Sequence, residues 1–196
     1  RHYARGTKAS LFMAFGMQFN PEVPGKDADT LLAYLRAFFL LYDWLLEESE
    51  IPVARKVAPF IQSFPEAYSR YILNPSYRPG IKRFMRDYME FNPTRNRPLD
   101  MLPLFADIDP GMVDLFPVEH ELVKARPTFH YRLPNSMVDD PNWLIKNDWN
   151  KWVEVERLAA DESRLRRMTE DYFSTRDENF LFVRSKWAAR TREWLH

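Results

Sequence analysis

The clearest strand signal in the chain is the stretch RPTFHYRLPN, residues 126–135. Phe129, Tyr131 and Leu133 fall on one side of this stretch, and charged or polar residues alternate with them. This period of two predicts a β-strand with one face in the core and the other face available to a ligand. The residues of that second face are Arg126, Thr128, His130 and Arg132.

A second alternating stretch spans residues 9–20, with Phe19 on its apolar side and Gln18 and Asn20 on its polar side. Apolar residues at helical spacing predict helices in most of the remaining chain. We expect a helix from Asp27 or Asp29 to about residue 48, helices over 65–73, 80–91, 99–106 and 142–172, and a last one, to residue 195, from a Ser174–Asp177 capping box. The predicted fold class is α+β, with the main domain over residues 1–172 and a C-terminal helix, 173–196, packed on it.

Composition excludes several classes of protein. The 196 residues carry 28 Lys+Arg and 28 Asp+Glu, and this formal charge of zero argues against a nucleic-acid-binding protein. There is no cysteine, which excludes a disulfide framework and thiolate chemistry. The most apolar stretch, residues 31–46, is interrupted by Arg36 and Asp43 and is too short for a membrane span. We therefore expect a cytoplasmic protein that binds neither nucleic acid nor membrane.

Phosphate binding, if present, must use side chains, because the chain has five glycines and no glycine-rich phosphate loop. On the strand 126–135, the arginines near its two ends could hold opposite ends of a charged substrate. The alternative is a solvent-exposed edge strand whose arginines form ordinary ion pairs.

The loop between residues 90 and 100 is a second candidate binding segment. Prolines make it stiff, and guanidinium groups suit the bidentate binding of phosphate or carboxylate. Alternatively, its arginines pair with Glu90 and Asp100 and its asparagines cap turns. The donor side chains of the loop are Asn92, Arg95, Asn96 and Arg97.

The amides of Gln18 and Asn20 could position a substrate, but Asn20 before Pro21 is also an ordinary end of a strand, and from the residues alone that structural role is favoured. The histidines outside the strand are scattered without ligand spacing, so the metal ligands stay unassigned.

Four segments together resemble the bacterial amidoligase family of the glutamine synthetase and glutamate–cysteine ligase superfamily. They are FNPEVP (19–24), FNPTRNRPLDMLPLF (91–105), RPTFHYRLPN (126–135) and WNKWVEVERLA (149–159), and the resemblance covers roughly residues 9–160. It implies part of an antiparallel sheet curved around ATP and magnesium, and ATP-dependent formation of an amide or isopeptide bond through an acyl phosphate. The sequence departs from the family at Gln18, where the family carries a histidine.

The resemblance also implies roles for individual residues. Arg95 and Arg97 would neutralise phosphate oxygens in an ATP-binding loop that includes Asn92 and Asn96. Arg126 and Arg132 would hold a substrate carboxylate or the acyl phosphate beside His130. The substrate-binding residues would be Thr128, Gln18, Asn20 and Asn135.

The chain starts at Arg1, and no strip of carboxylates suited to magnesium is evident in it. We therefore expect a C-terminal portion of a ligase that acts on a small molecule or peptide, is completed by an N-terminal segment of the same domain, and lacks activity when isolated. The alternative is a non-catalytic binding protein that uses the ligase-like scaffold and its arginines to hold an anionic ligand or partner.

Overall fold

The computed structural model describes residues 16–49, 51, 61–178 and 184–195. These residues form a mostly helical structure with a small antiparallel sheet, which confirms the α+β class. A single 3-10 turn, His120–Leu122, accompanies the regular elements of the described ranges. Those elements are α1 (Ala28–Glu48), α2 (Glu66–Leu73), α3 (Ile81–Phe91), β1 (Leu99–Asp100), α4 (Leu102–Ile108), α5 (Pro110–Val113), β2 (His130–Tyr131), α6 (Ile145–Ala160), α7 (Glu162–Glu178) and α8 (Arg184–Trp194).

Among the described residues, no helix combines the length and the apolar character that a membrane crossing requires.

Helix α1 forms the centre of the core. Asp27 caps its N-terminus, and the Asp27 carboxylate accepts hydrogen bonds from the backbone N–H of Thr30 at 2.8 Å and from the Thr30 hydroxyl at 2.7 Å. Many of its apolar residues, including Leu35 and Phe38, have no exposed surface. Helices α6 and α8 pack along α1, and the indole N–H of Trp187 in α8 donates to the carbonyl of Leu40 at 2.7 Å.

The sheet is formed by three short segments, with residues 127–135 in the middle. On one side β1 pairs with β2, with Leu99 opposite Tyr131 and Asp100 opposite His130. On the other side residues 16–23 run antiparallel to 127–135 through isolated bridges, of which Phe19–Tyr131 is the central one. Residues 9–15 of the predicted first strand lie outside the described residues.

The strand predicted over 126–135 keeps its alternation but is regular only at His130–Tyr131. Phe129, Tyr131 and Leu133 have no exposed surface, as the apolar side of the pattern predicts. Regular pairing is short because Pro127 and Pro134 cannot donate to a neighbouring strand. The buried face of the sheet rests on α1, where the ring of Phe129 stacks on Tyr34 at 5.0 Å between centroids.

The predicted helix over 99–106 was wrong at its start. Leu99 and Asp100 belong to β1, and α4 begins only at Leu102. Pro103 is tolerated in the first turn of α4, because an N–H there has no partner within the helix. The strand forms because β2 offers Leu99 and Asp100 backbone partners that lie far away in sequence.

Two predictions about the C-terminal helices were wrong. Residues 142–172 do not form one helix, because Asp161 leaves the helical conformation and its carboxylate accepts from the N–H of Arg164 at 2.9 Å, ending α6 and capping α7. The Ser174–Asp177 pattern does not open a helix, since α7 runs through both residues. In α7 the ring of Tyr172 packs edge-on against Trp187, with 5.0 Å between the ring centroids. This tertiary contact stabilises the last turns of α7, where the sequence predicted a new helix to start.

Candidate active site on the polar face of the sheet

One face of the sheet carries polar side chains from all three segments. Because opposite residues in a sheet share a face, the Phe19–Tyr131 bridge places Asn20 opposite His130 and Gln18 opposite Arg132. Asp100 flanks His130 from the other side. We call this surface the polar sheet face; its residues are Gln18, Asn20, Glu22, Asp100, Thr128, His130 and Arg132.

Asp100 is the buried anchor of the polar sheet face, with 1% of its surface exposed. Its Oδ2 lies 3.0 Å from Nη2 of Arg132, and its Oδ1 accepts from the N–H of Leu102 at 3.0 Å. Burial raises the pKa of Asp100 to about 6, although the charges of Arg132 and Arg95 oppose the rise. Asp100 is therefore a carboxylate at neutral pH and fixes the position of the Arg132 guanidinium.

His130 presents two buried ring nitrogens that have no hydrogen-bond partner among the described residues. Its Nδ1 lies 3.8 Å from Oδ2 of Asp100, beyond hydrogen-bond distance. Burial lowers the pKa of His130 to about 4, and the charges of Arg132, Arg126 and Arg95 lower it further in the same direction. The ring is thus neutral at pH 7, with one nitrogen able to donate and the other able to accept.

Three guanidinium groups act on this centre. Arg132 lies on the polar sheet face, and the charges of Arg126 and Arg95 are close enough to lower the pKa of His130. The hydroxyl oxygen of Thr128 is buried and also has no partner in the described part of the chain. These three guanidinium groups outnumber the two carboxylates of the polar sheet face, Asp100 and Glu22. Together with the hydroxyl of Thr128 and the ring of His130, this positive balance is the chemistry of an anion-binding site.

The four predicted residues of the ATP-binding loop take two different roles in the structure. Three of them stabilise the conformation of the loop, and one lies near the site. Arg97 is 8% exposed, donates to the carbonyl of Ser63 at 2.6 Å and lies over the ring of Phe64. The Asn92 side chain is fully buried and donates to the carbonyl of Tyr88 at 3.0 Å, where it ends α3. The Asn96 carbonyl accepts from the N–H of Gln62 at 2.7 Å. Arg95 is the loop residue whose charge reaches Asp100 and His130.

The predicted substrate-binding amides are also divided. Gln18 and Asn20 are exposed on the polar sheet face, and Nε2 of Gln18 donates to Oδ1 of Asn20 at 2.6 Å. Asn135 is instead 4% exposed, and its side chain donates to the carbonyl of Ser49 behind the end of α1. Gln18 and Asn20 therefore lie at the site, whereas the side chain of Asn135 is used in a buried hydrogen bond.

Asp100 is the site residue that sequence reasoning missed, since it appeared there only as a partner for the loop arginines. The structure pairs it with Arg132, 32 residues away. A signal was available, because Asp100 is the one charged residue in the otherwise apolar run 98–105, whose composition predicts burial. In the described ranges, no group of three or more His, Cys, Asp or Glu side chains could hold a metal ion.

A family model described as "Putative amidoligase enzyme" matches residues 1–154. This chain belongs to that amidoligase family. The match confirms the resemblance carried by the loop and strand segments, and it includes every residue of the polar sheet face. No curated protein and no solved structure matched the chain. In this amidoligase, the end of α6 and all of α7 and α8 lie beyond the matched residues, although these helices pack on α1.

Proposed function

We propose that this amidoligase chain supplies the cationic side of an ATP-dependent carboxylate–amine ligase site that works through an acyl phosphate. Membership of the amidoligase family supports a ligase. The observation that carries the proposal is the convergence of Arg95, Arg126 and Arg132 around a neutral His130, whose ring nitrogens have no hydrogen-bond partner in the described part of the chain.

The proposed chemistry has two steps. A substrate carboxylate oxygen attacks the γ-phosphorus of ATP, ADP leaves, and an acyl phosphate forms. An amine then attacks the acyl carbon, inorganic phosphate leaves, and the amine nitrogen loses a proton as the amide forms. Negative charge develops on phosphoryl oxygens in the first step and on the acyl oxygen in the second, and guanidinium groups stabilise both.

The residues of the cationic side then take distinct roles. Arg95 neutralises phosphoryl oxygens, while Arg126 and Arg132 hold the substrate carboxylate and later the acyl phosphate. Thr128 and the N–H of neutral His130 donate hydrogen bonds to the same oxygens. Asp100 is a positioning residue, because its ion pair of 3.0 Å fixes Arg132 before substrate arrives.

The donor set of the polar sheet face fits the phosphate oxygens of ATP, since it offers guanidinium, hydroxyl and imidazole donors without a glycine loop. Magnesium requires carboxylate and phosphate oxygens, and we assign it no ligands in the described ranges because no suitable acidic cluster lies there. We further propose that the three-segment sheet is one part of a larger, curved, glutamine synthetase-like antiparallel sheet.

The test is ATP turnover by the full-length protein with Mg²⁺ and a mixture of amino acids or short peptides. Phosphate release measures the turnover, and mass spectrometry identifies the product. We expect R132A to lower kcat/KM by about 100-fold or more, the range found when one donor to a developing anion is removed. R95A should also lower it, by raising KM for ATP.

The matched control is R86A, because Arg86 is an exposed arginine on α3 and does not belong to the polar sheet face or its loop. R132K, which keeps the charge opposite Asp100, separates loss of the bidentate contact from loss of the fold. Unchanged turnover in both R132A and R95A, with circular dichroism of the wild type, would contradict these roles. Binding of ATP without any turnover would instead indicate the non-catalytic binding protein.

A further inference from the structure

A cavity of about 560 Å³ lies between α1, the end of α2 and the junction of α6 with α7. Its apolar lining includes Leu32, Leu73 and Leu165. The α1 residues that line it belong to a different stripe from Tyr34 and Phe38, which contact the sheet. The cavity is therefore separate from the polar sheet face, and its volume suits a small organic ligand.

Arg36 is the buried charged residue of this cavity, with 8% of its surface exposed. Its Nε donates to the carbonyl of Ile72 at 2.8 Å, and its Nη2 donates to the carbonyls of Asn74 at 2.8 Å and Tyr77 at 2.9 Å. Nη1 has no partner among the described residues and is not sealed from solvent. The guanidinium is thus held rigidly while one nitrogen still offers two N–H groups.

The charge of Arg36 lacks an adjacent counter-ion. All three of its acceptors are neutral carbonyls, and no carboxylate of the described residues forms an ion pair with it. Burial and, to a lesser extent, the nearby charge of Arg78 lower the pKa of Arg36 to about 10, while Tyr77 and Asp29 oppose this more weakly. Arg36 is therefore charged at pH 7, and a buried guanidinium of this kind is stabilised by an anion.

The rim of the cavity adds charge of both signs. Arg78 and Arg166 line it and are exposed, as are Asp29 and Glu162. Because Arg36 is the buried member of this set, the strongest electrostatic preference inside the cavity is for a negative group beside Nη1. The leucines of the lining would then contact the apolar part of such a ligand.

We propose that this cavity is a binding site for a small amphipathic carboxylate, whose carboxylate group accepts from Nη1 of Arg36 beside Arg78 and whose hydrocarbon part packs on Leu32, Leu73 and Leu165. This site is additional to the ligase chemistry and does not depend on it.

The experiment titrates the full-length protein with hexanoate, hexanol and hexylamine, which share one hydrocarbon length and differ in the head group. Methyl NMR shifts of the lining leucines report the site directly. We expect hexanoate to bind at least about tenfold more tightly than the other two probes, which corresponds to about 1.4 kcal/mol. Equal binding of hexanol, preference for hexylamine, or no hexanoate binding up to about 50 mM would each overturn the proposal.

Two adjacent alanines provide matched variants. Ala159 lines the cavity and Ala160, the next residue of α6, is exposed and does not. A159F should abolish hexanoate binding by filling the space, while A160F should bind as the wild type does. R78E, at an exposed position, should weaken hexanoate binding about tenfold without removing a core residue.

Hexanoate binding that survives both A159F and R78E would overturn the assignment to this cavity. R132A is expected to bind hexanoate normally, because Arg132 belongs to the polar sheet face. Failure of the ligase proposal and failure of this one are therefore distinguishable in the same set of proteins.

Discussion

At the scale of single residues, His130 and Asp100 place two opposite pH responses within one site. The pKa of His130 is lowered to about 4 in the folded state. Between pH 6.5 and pH 4, the unfolded chain therefore binds a proton at this histidine and the folded chain does not. The stability that His130 contributes is present above pH 6.5 and is lost as pH falls from 6.5 to 4. The pKa of Asp100 is raised to about 6, so its contribution is greatest below pH 3.8 and is lost as pH rises from 3.8 to 6.

This difference gives a prediction for H130Q, which removes the titrating ring and leaves Asp100 in place. Between pH 7.5 and pH 5, we expect the free energy of unfolding of the wild type to fall by about 2 kcal/mol relative to H130Q. Urea unfolding at the two pH values measures it. H120Q is the control, because His120 is exposed. The free energy of unfolding of H120Q should depend on pH as that of the wild type does. A wild-type slope in H130Q would show that the ring is not held neutral.

At the scale of elements, the start of α1 was predicted at either Asp27 or Asp29, and the structure selects Asp27. Its carboxylate accepts from both the N–H and the hydroxyl of Thr30, while Asp29 is an exposed residue of the first turn. The hydrogen bond from Thr30 N–H lowers the pKa of Asp27, as expected for a carboxylate that caps a helix in its charged form.

We therefore expect D27A to lower the free energy of unfolding by about 1 kcal/mol, the usual loss for an N-cap. D27N should retain most of the stability because its amide oxygen can accept the same bond. D29A should cost only a few tenths of a kcal/mol through the helix dipole. Chemical denaturation at pH 7 ranks the three variants, and a larger loss in D29A than in D27A would assign the cap to the other residue.

At the scale of the whole molecule, the C-terminal helices are part of the core although the family match ends at residue 154. Trp187 of α8 has no exposed surface and donates its indole N–H to Leu40 at the middle of α1. Arg192 of the same helix forms ion pairs with Glu47 and Glu48 at the end of α1. Through α1, the helix beyond the match supports the layer on which the sheet rests.

W187A should accordingly lower the free energy of unfolding by about 3–5 kcal/mol, the range for removing a large buried aromatic side chain. W187F should cost less, because it keeps most of the ring and loses the hydrogen bond to Leu40. K186A is the control at the neighbouring exposed position. Thermal unfolding followed by circular dichroism provides the measurement, and a loss below about 1 kcal/mol in W187A would contradict a core role for α8.

The sequence by itself determined the features that depend on neighbours along the chain. The helix α1 with its acidic cap, the buried side of Phe129, Tyr131 and Leu133, and the polar side of His130 and Arg132 all follow from period and local chemistry. These patterns persist because burying one face of an element stabilises it in almost any packing arrangement.

Only the tertiary structure decided which groups meet in space. It paired Arg132 with Asp100 rather than giving Asp100 to the loop arginines, placed Leu99 in a strand, and ended α6 at Asp161. It also buried Arg36 beside a cavity. Each of these outcomes rests on a partner that is distant in sequence, and the strength of an ion pair or hydrogen bond depends on a separation of a few ångströms that periodicity along the chain does not contain.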